Sequence, residues 1–234
     1  MASIYEDGSY YAANPTLDAD HGPWKARETL KILRRNGLTP SRICEIGCGS
    51  GAVIASLCDL LPAARGEGFD ISPHAIEVAR RFEGERVRFF QGDALKDPGR
   101  YDLALMHDVF EHVEDYLGFL RAARGKADWF AFHIPLEISV LSVLRPHVFD
   151  LTRHAVGHLH VFNKTTALST LRHAGYEVVD YHYTPGALAV GPPTWRKTLA
   201  NIPRRLVSAV SPGLAQQWLG GFSLMVLARE SSAR

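Results

Sequence analysis

The run Glu45-Ile46-Gly47-Cys48-Gly49-Ser50-Gly51 closes a short apolar segment and opens a helical one, so its glycines let backbone come close to a ligand at a helix N-terminus. Two kinds of ligand are held on such a turn: dinucleotides, whose Gly-x-Gly-x-x-Gly/Ala fingerprint is met by Gly47, Gly49 and Ala52, and S-adenosylmethionine. Carboxylates separate the two better than glycines do. Asp70 stands 19 residues past Gly51, where ribose hydroxyls would meet a bidentate acceptor, and Asp93, in Phe90-Gln91-Gly92-Asp93-Ala94, comes within reach of an adenine amino group. Glu45 opposes a pyrophosphate but attracts an ammonium group or, through water, a sulfonium. This acidity fits a positively charged ligand; a bare turn and a helix-capping Asp70 are the simpler alternatives.

The second set of reactive residues draws on 11 histidines, more than composition explains. His107 is followed by Asp108, Glu111 and His112, and further along come Phe132-His133-Ile134-Pro135 and His158-x-His160-x-Phe162. Were the ligand S-adenosylmethionine, methyl transfer from its sulfonium would be an in-line displacement in which alignment supplies much of the rate. A hydroxyl acceptor must also lose its proton, which calls for a base or a metal, whereas an amine need only be neutral. His112 and His133 are the base candidates; a packed imidazole and a capped strand end are their bland counterparts. His147, His154 and His158 fall in an irregular stretch that reads as a cover or as surface histidines. Tyr5, Tyr10, Tyr11 and Trp24 would close a pocket or staple the first helix. Trp195 to Leu206, with Arg196, Lys197, Arg204 and Arg205, reads as a solvated helix face, a basic lid or a partner surface.

Taken together, Glu45-x-Gly47-x-Gly49-x-Gly51, Asp70, Gly92-Asp93-Ala94 and Asp108-Val109-Phe110-Glu111-His112-Val113 resemble class I S-adenosylmethionine-dependent methyltransferases over nearly the whole chain. The resemblance implies that Glu45, Gly47, Gly49 and Gly51 hold the methionine part of the cofactor, that Asp70 and Ile71 meet the ribose, that Asp93 and Ala94 meet adenine, and that His107 belongs to the same site. Asp108-x-x-Glu111-His112 with the later His160 is similar to the Glu-x-x-Glu-His plus distant His set that holds a divalent metal in small-RNA 3′-terminal 2′-O-methyltransferases. Ubiquinone-pathway O-methyltransferases share its first three positions. The implied metal ligands are Asp108, Glu111, His112 and His160, with Asp a shorter first ligand than Glu. Phe132 to Glu137 and Gly157 to Phe162 are similar to bacterial stand-alone methyltransferase-domain proteins.

These residues need a sheet to bring them together, and the pattern supplies one. Helix candidates run from Trp24 to Arg35, Ala52 to Leu61, Ser72-Pro73 to Phe82, Tyr116 to Ala123 and Thr165 to Ala174. Strand candidates are Ser41 to Ile46, Gly66 to Asp70, Arg86 to Phe90, Tyr101 to His107, Trp129 to Ile134, Tyr176 to Tyr183 and Phe222 to Leu227. The alternation predicts an α/β protein with a Rossmann-like, doubly wound, mostly parallel sheet. The family resemblance implies seven strands with the last antiparallel, and the pattern adds an N-terminal helix and a helical cover broken at Pro203 and Pro212.

With 234 residues, 46% apolar and 22% charged, the chain reads as one domain: an N-terminal cap (1–40), a cofactor-binding half (41–135) and a substrate-side half (136–234). A net charge of +1 argues against bulk nucleic acid, and no apolar run approaches a membrane span. Cys44, Cys48 and Cys58 suit a reducing cytoplasm. The expected function is O-methylation of a small molecule, glycan or peptide, with S-adenosylhomocysteine as product. N-methylation, an NAD(P)-dependent oxidoreductase on the same turn, and a binding module that has lost catalysis are the alternatives. Monomer and homodimer stay open.

Overall fold

The computed structural model describes residues 19–189 and 195–231. Helix α1 (Gly22–Arg35), with Pro23 in its first turn, precedes strand β1 (Arg42–Ile46). There follow α2 (Ala52–Leu60), β2 (Arg65–Asp70), α3 (Pro73–Ala79), β3 (Val87–Gln91), β4 (Tyr101–His107), α4 (Tyr116–Ala123) and β5 (Ala127–Leu136). The second half holds α5 (Val140–Val143), α6 (His147–Val156), α7 (Lys164–His173), β6 (Tyr176–Thr184), α8 (Gly186–Ala189), α9 (Trp195–Val210), α10 (Pro212–Leu219) and β7 (Phe222–Glu230).

The sheet has seven strands in the order β3-β2-β1-β4-β5-β7-β6. β7 is antiparallel to both β5 and β6, and the other six run in one direction. Strand residues alternate between two cores, as a pleated sheet covered on both faces requires. Ile43, Leu103, Leu105, Ala131, Met225 and Leu227 pack towards α1 and α2, whereas Cys44, Ala104, Met106, Phe130, Phe132 and Val226 meet α4 and α7. Registers Ile46↔Phe69, Asp70↔Gln91 and His107↔His133 align the carboxyl ends of β1 to β5 along one edge, where open α/β sheets bind ligands.

Three expectations about elements change. β5 runs through Pro135, because β4 pairing ends at His133 and Pro135 faces only β7, so its missing N–H costs no ladder bond towards β4. Pro203 does not break α9, which continues from Trp195 to Val210. The bond forgone is the one to Leu199, an exposed residue whose carbonyl water can reach. His147–Val156 is a helix, flanked by Pro146 and by Gly157 at φ 76°. The expected roles of Tyr5, Tyr10 and Tyr11 lie outside the described residues.

Candidate functional site

The turn after β1 needs three left-handed residues, and the sequence supplies Gly47 (φ 71°), Gly49 (φ 50°) and Gly51 (φ 75°). Asp70, at the end of β2, clasps it: Gly49 N–H donates to one carboxylate oxygen and Ser72 N–H to the other, each at 2.9 Å. Burial pushes the Asp70 carboxyl up, against these two donors, which favour the ionised form. Ile71 beside it is 59% exposed. Asp93 accepts from Leu95 N–H at 2.9 Å, and Ala94 is buried. A side-chain carbon added at Gly49 or Gly92 would meet no atom within 4 Å, so open space lies over the turn and the end of β3.

Glu45 and His107 take a different place. Each side chain is 2% exposed, and His107 Nδ1–H donates to Glu45 at 3.0 Å. The other Glu45 oxygen accepts from Ile54 N–H in the first turn of α2, while His107 Nε2 lies 3.1 Å from Thr29 Oγ1 on α1. The two residues expected at the cofactor instead bond each other beneath the turn and tie it to α2 and α1.

Past β4, Asp108 is the one non-glycine in left-handed backbone among the described residues, at φ 55°. It links three elements: its N–H donates to His133 O at 2.9 Å, one carboxylate oxygen meets His133 Nδ1 at 2.7 Å, and the other meets Lys25 Nζ of α1 at 2.6 Å. Burial would raise this carboxyl, but the facing His133 and Lys25 hold it well below the ordinary range. Burial in turn lowers His133, against the neighbouring Asp108 carboxylate, which favours its charged form. His133 Nε2 pairs with Thr184 Oγ1 at 2.9 Å and Trp24 packs edge-on to the ring. With both nitrogens engaged and 3% of the residue exposed, His133 is a buttress, not the open base expected of it.

The edge of the site holds instead a buried to half-buried cluster of Glu111, His112 and His158, whose ligand atoms lie within 4.8 Å of one another. His112 Nδ1 faces Gly157 O at 3.1 Å, and His158 Nδ1 faces Glu137 at 2.9 Å, so the Nδ1–H of each ring donates to an oxygen behind it. Burial, with His158 alongside, lowers His112 to about 4. Glu111 is fully buried, and neither carboxylate oxygen has a hydrogen-bond partner among the described residues. Burial, then the neighbouring Asp108, drives its pKa well up. The expected ligand set is therefore rearranged. Asp108 is committed to Lys25 and His133, and His160 turns its Nε2 to Val113 O at 3.0 Å under the Tyr116 ring. His158, two residues earlier, comes to Glu111 and His112 because the N–H groups of Leu159 and His160 both bond Glu111 O. Only the alternation His158-x-His160 hinted at it. His147 and His154 are exposed on α6.

Glu137 also lines a cavity of about 370 Å³, walled by Ser139, Leu141, Thr152, Arg204 and Phe222. It lies where β5 ends, between α5 and α6 on one side and α9 and α10 on the other.

Residues 23–181 match a protein-family profile described as "Methyltransferase domain". The chain is 28% identical over 189 residues, covering 72% of it and 78% of the relative, to the ubiquinone biosynthesis O-methyltransferase of Xanthomonas euvesicatoria pv. vesicatoria. A relative of the same name from Xanthomonas campestris pv. campestris is matched over 50% of its length. Among solved structures, a chain of the Haloferax volcanii complex of the Trm112 methyltransferase activator with a methyltransferase superposes with a TM-score of 0.67 at 16% identity, covering 99% of both chains. The magnesium protoporphyrin IX methyltransferase of Synechocystis PCC 6803 with bound S-adenosylhomocysteine superposes with a TM-score of 0.61 at 17% identity, covering 93% of this chain and 86% of that one.

Proposed function

This chain belongs to the class I S-adenosylmethionine-dependent methyltransferases, and from that premise we propose that it methylates an oxygen atom of a small molecule, glycan or peptide. S-adenosylmethionine, when bound, supplies an electrophilic methyl group on a sulfonium. Gly47, Gly49 and Gly51 bring backbone to its methionine part, Asp70 with Ile71 meets the ribose, and Asp93 with Ala94 meets the adenine edge. Glu45 and His107 keep the turn in register from beneath. His112 accepts the acceptor hydroxyl's proton at Nε2, while Gly157 O fixes the ring. His133 and Asp108 brace α1 against β4, β5 and β6 around that position. The acceptor occupies the cavity beside Glu137. One observation carries oxygen over nitrogen: a neutral, oriented imidazole stands at the carboxyl edge of the sheet, where a hydroxyl acceptor needs a base to take its proton during attack. The relative named for O-methylation in ubiquinone biosynthesis supports the same choice.

A divalent cation is a second reading, favoured by the unpartnered Glu111 carboxylate. Glu111, His112 and His158 fit as ligands, because each imidazole is held from behind by Gly157 O or Glu137, the usual support of metal-bound histidine. Such an ion would lower the acceptor's pKa. The test is transfer of labelled methyl to a panel of phenols, hydroxy acids and amines, with and without EDTA. Labelled ethers or esters, lost with His112→Ala, are expected; transfer to amines alone overturns the oxygen reading. Loss in EDTA with recovery on adding Mn²⁺ or Zn²⁺ establishes the metal, and full activity in EDTA removes it.

A further inference from the structure

Helix α9 is mounted with its apolar side outwards. Leu199 (60% exposed), Ile202 (45%), Leu206 (67%) and Val210 (85%) recur at helical spacing and share one stripe. The inward face is polar: Arg204 donates to Gly220 O, Leu219 O and Asn201 Oδ1. Helix α10 repeats the inversion. Leu214 and Trp218, one turn apart, are 47% and 58% exposed, while Gln216 is buried and donates to Ile138 O. A solvated face, the reading the sequence suggests for Trp195 to Leu206, would show the opposite order.

Charge says what covers this stripe. Residues 181–228 contain no Asp or Glu, yet carry Arg196, Lys197, Arg204 and Arg205; of these, Arg204 turns inward to the Gly220 and Leu219 carbonyls and Arg205 is exposed. The neighbouring α5 and α6 expose Val143, Leu144 and Leu151, with Arg145 and Arg153 against the single Asp150. Apolar side chains facing out, a tryptophan among them, on a segment free of carboxylates suit the interface of a membrane with anionic headgroups. A second copy of this face would bring the same positive charges together. None of the described helices is long and apolar enough to cross a membrane, so the relation is one of lying on it.

We propose that α9 and α10 dock the protein on a bilayer surface containing anionic lipid, with Leu199, Ile202, Leu206, Val210, Leu214 and Trp218 entering the headgroup boundary. The same helices give Arg204 and Leu219 to the cavity wall, so docking and the acceptor space share one support. The test is co-sedimentation of the full chain with phosphatidylcholine vesicles, with and without phosphatidylglycerol. Binding to the phosphatidylglycerol vesicles, weakened by salt, is expected; Arg205→Ala lowers the partition about fivefold, and Leu206→Glu abolishes it. S-adenosylhomocysteine binding, measured in the same preparations, stays unchanged and vouches for the fold and the cofactor site independently. Failure to bind anionic vesicles at low salt, or an unaltered partition for Leu206→Glu, overturns the proposal. So does a wild-type dimer that Leu206→Glu turns into a monomer, which makes the stripe a contact between copies.

Discussion

Asp70 carries two duties, and its removal separates them. Asp70→Ala deletes the acceptor for Gly49 and Ser72 N–H groups and the contact proposed for ribose. Affinity for S-adenosylhomocysteine should fall by about 1–3 kcal/mol in calorimetry, and an unchanged affinity refutes the role. His112 is tested by pH. Its folded pKa of about 4 lies below the ordinary histidine value, so the unfolded chain takes up the proton first as pH falls. This contribution to stability is complete above about pH 6.5 and is lost progressively towards pH 4, by a few kcal/mol; denaturant midpoints across that window measure it, and His112→Ala should flatten the slope. Glu111→Gln reproduces the protonated acid in shape, so it keeps or raises the melting temperature while abolishing any divalent-ion binding seen by calorimetry. The left-handed glycines of the turn were legible in sequence because their conformation is set locally and needs no partner from elsewhere in the chain. His158 was not, since its place beside His112 depends on the backbone of Glu111.

At the scale of elements, the close approach of the start of α2 to β3 and α3 is enforced by glycine. A side-chain carbon on Gly51 would sit 2.5 Å from Phe89 Cε1 and 2.9 Å from Ala79 Cβ, at a φ that L-residues resist. Gly51→Ala should therefore cost about 2 kcal/mol or more, read as a lowered melting temperature and weaker S-adenosylhomocysteine binding. Boundaries of the first four strands could be read closely, because short apolar-rich runs between turn residues have one reading in a parallel sheet. The cover could not be. Its helices turn apolar side chains outwards, so periodicity alone does not say which face meets the body. Pro203 sits on the exposed side, where it interrupts less than its type suggests.

For the whole molecule, the three thiols report on integrity. Burial pushes Cys44 up to about 12 and Cys58 to about 11, and raises Cys48 well above the ordinary value. All three should resist Ellman's reagent in the folded protein and react after denaturation; a thiol that reacts at once in the native state would contradict this packing. Resemblance to a family implied seven strands with the last antiparallel but not their order, since no local pattern says that the last strand enters between β5 and β6. That insertion has a consequence for synthesis. On the ribosome, β1 to β4 can pair as soon as residue 107 has emerged, each strand joining an edge already made. β6, although made before β7, has no neighbour in the sheet until residues 222–230 arrive, so the growing chain carries its basic, outward-apolar helices before that edge is closed.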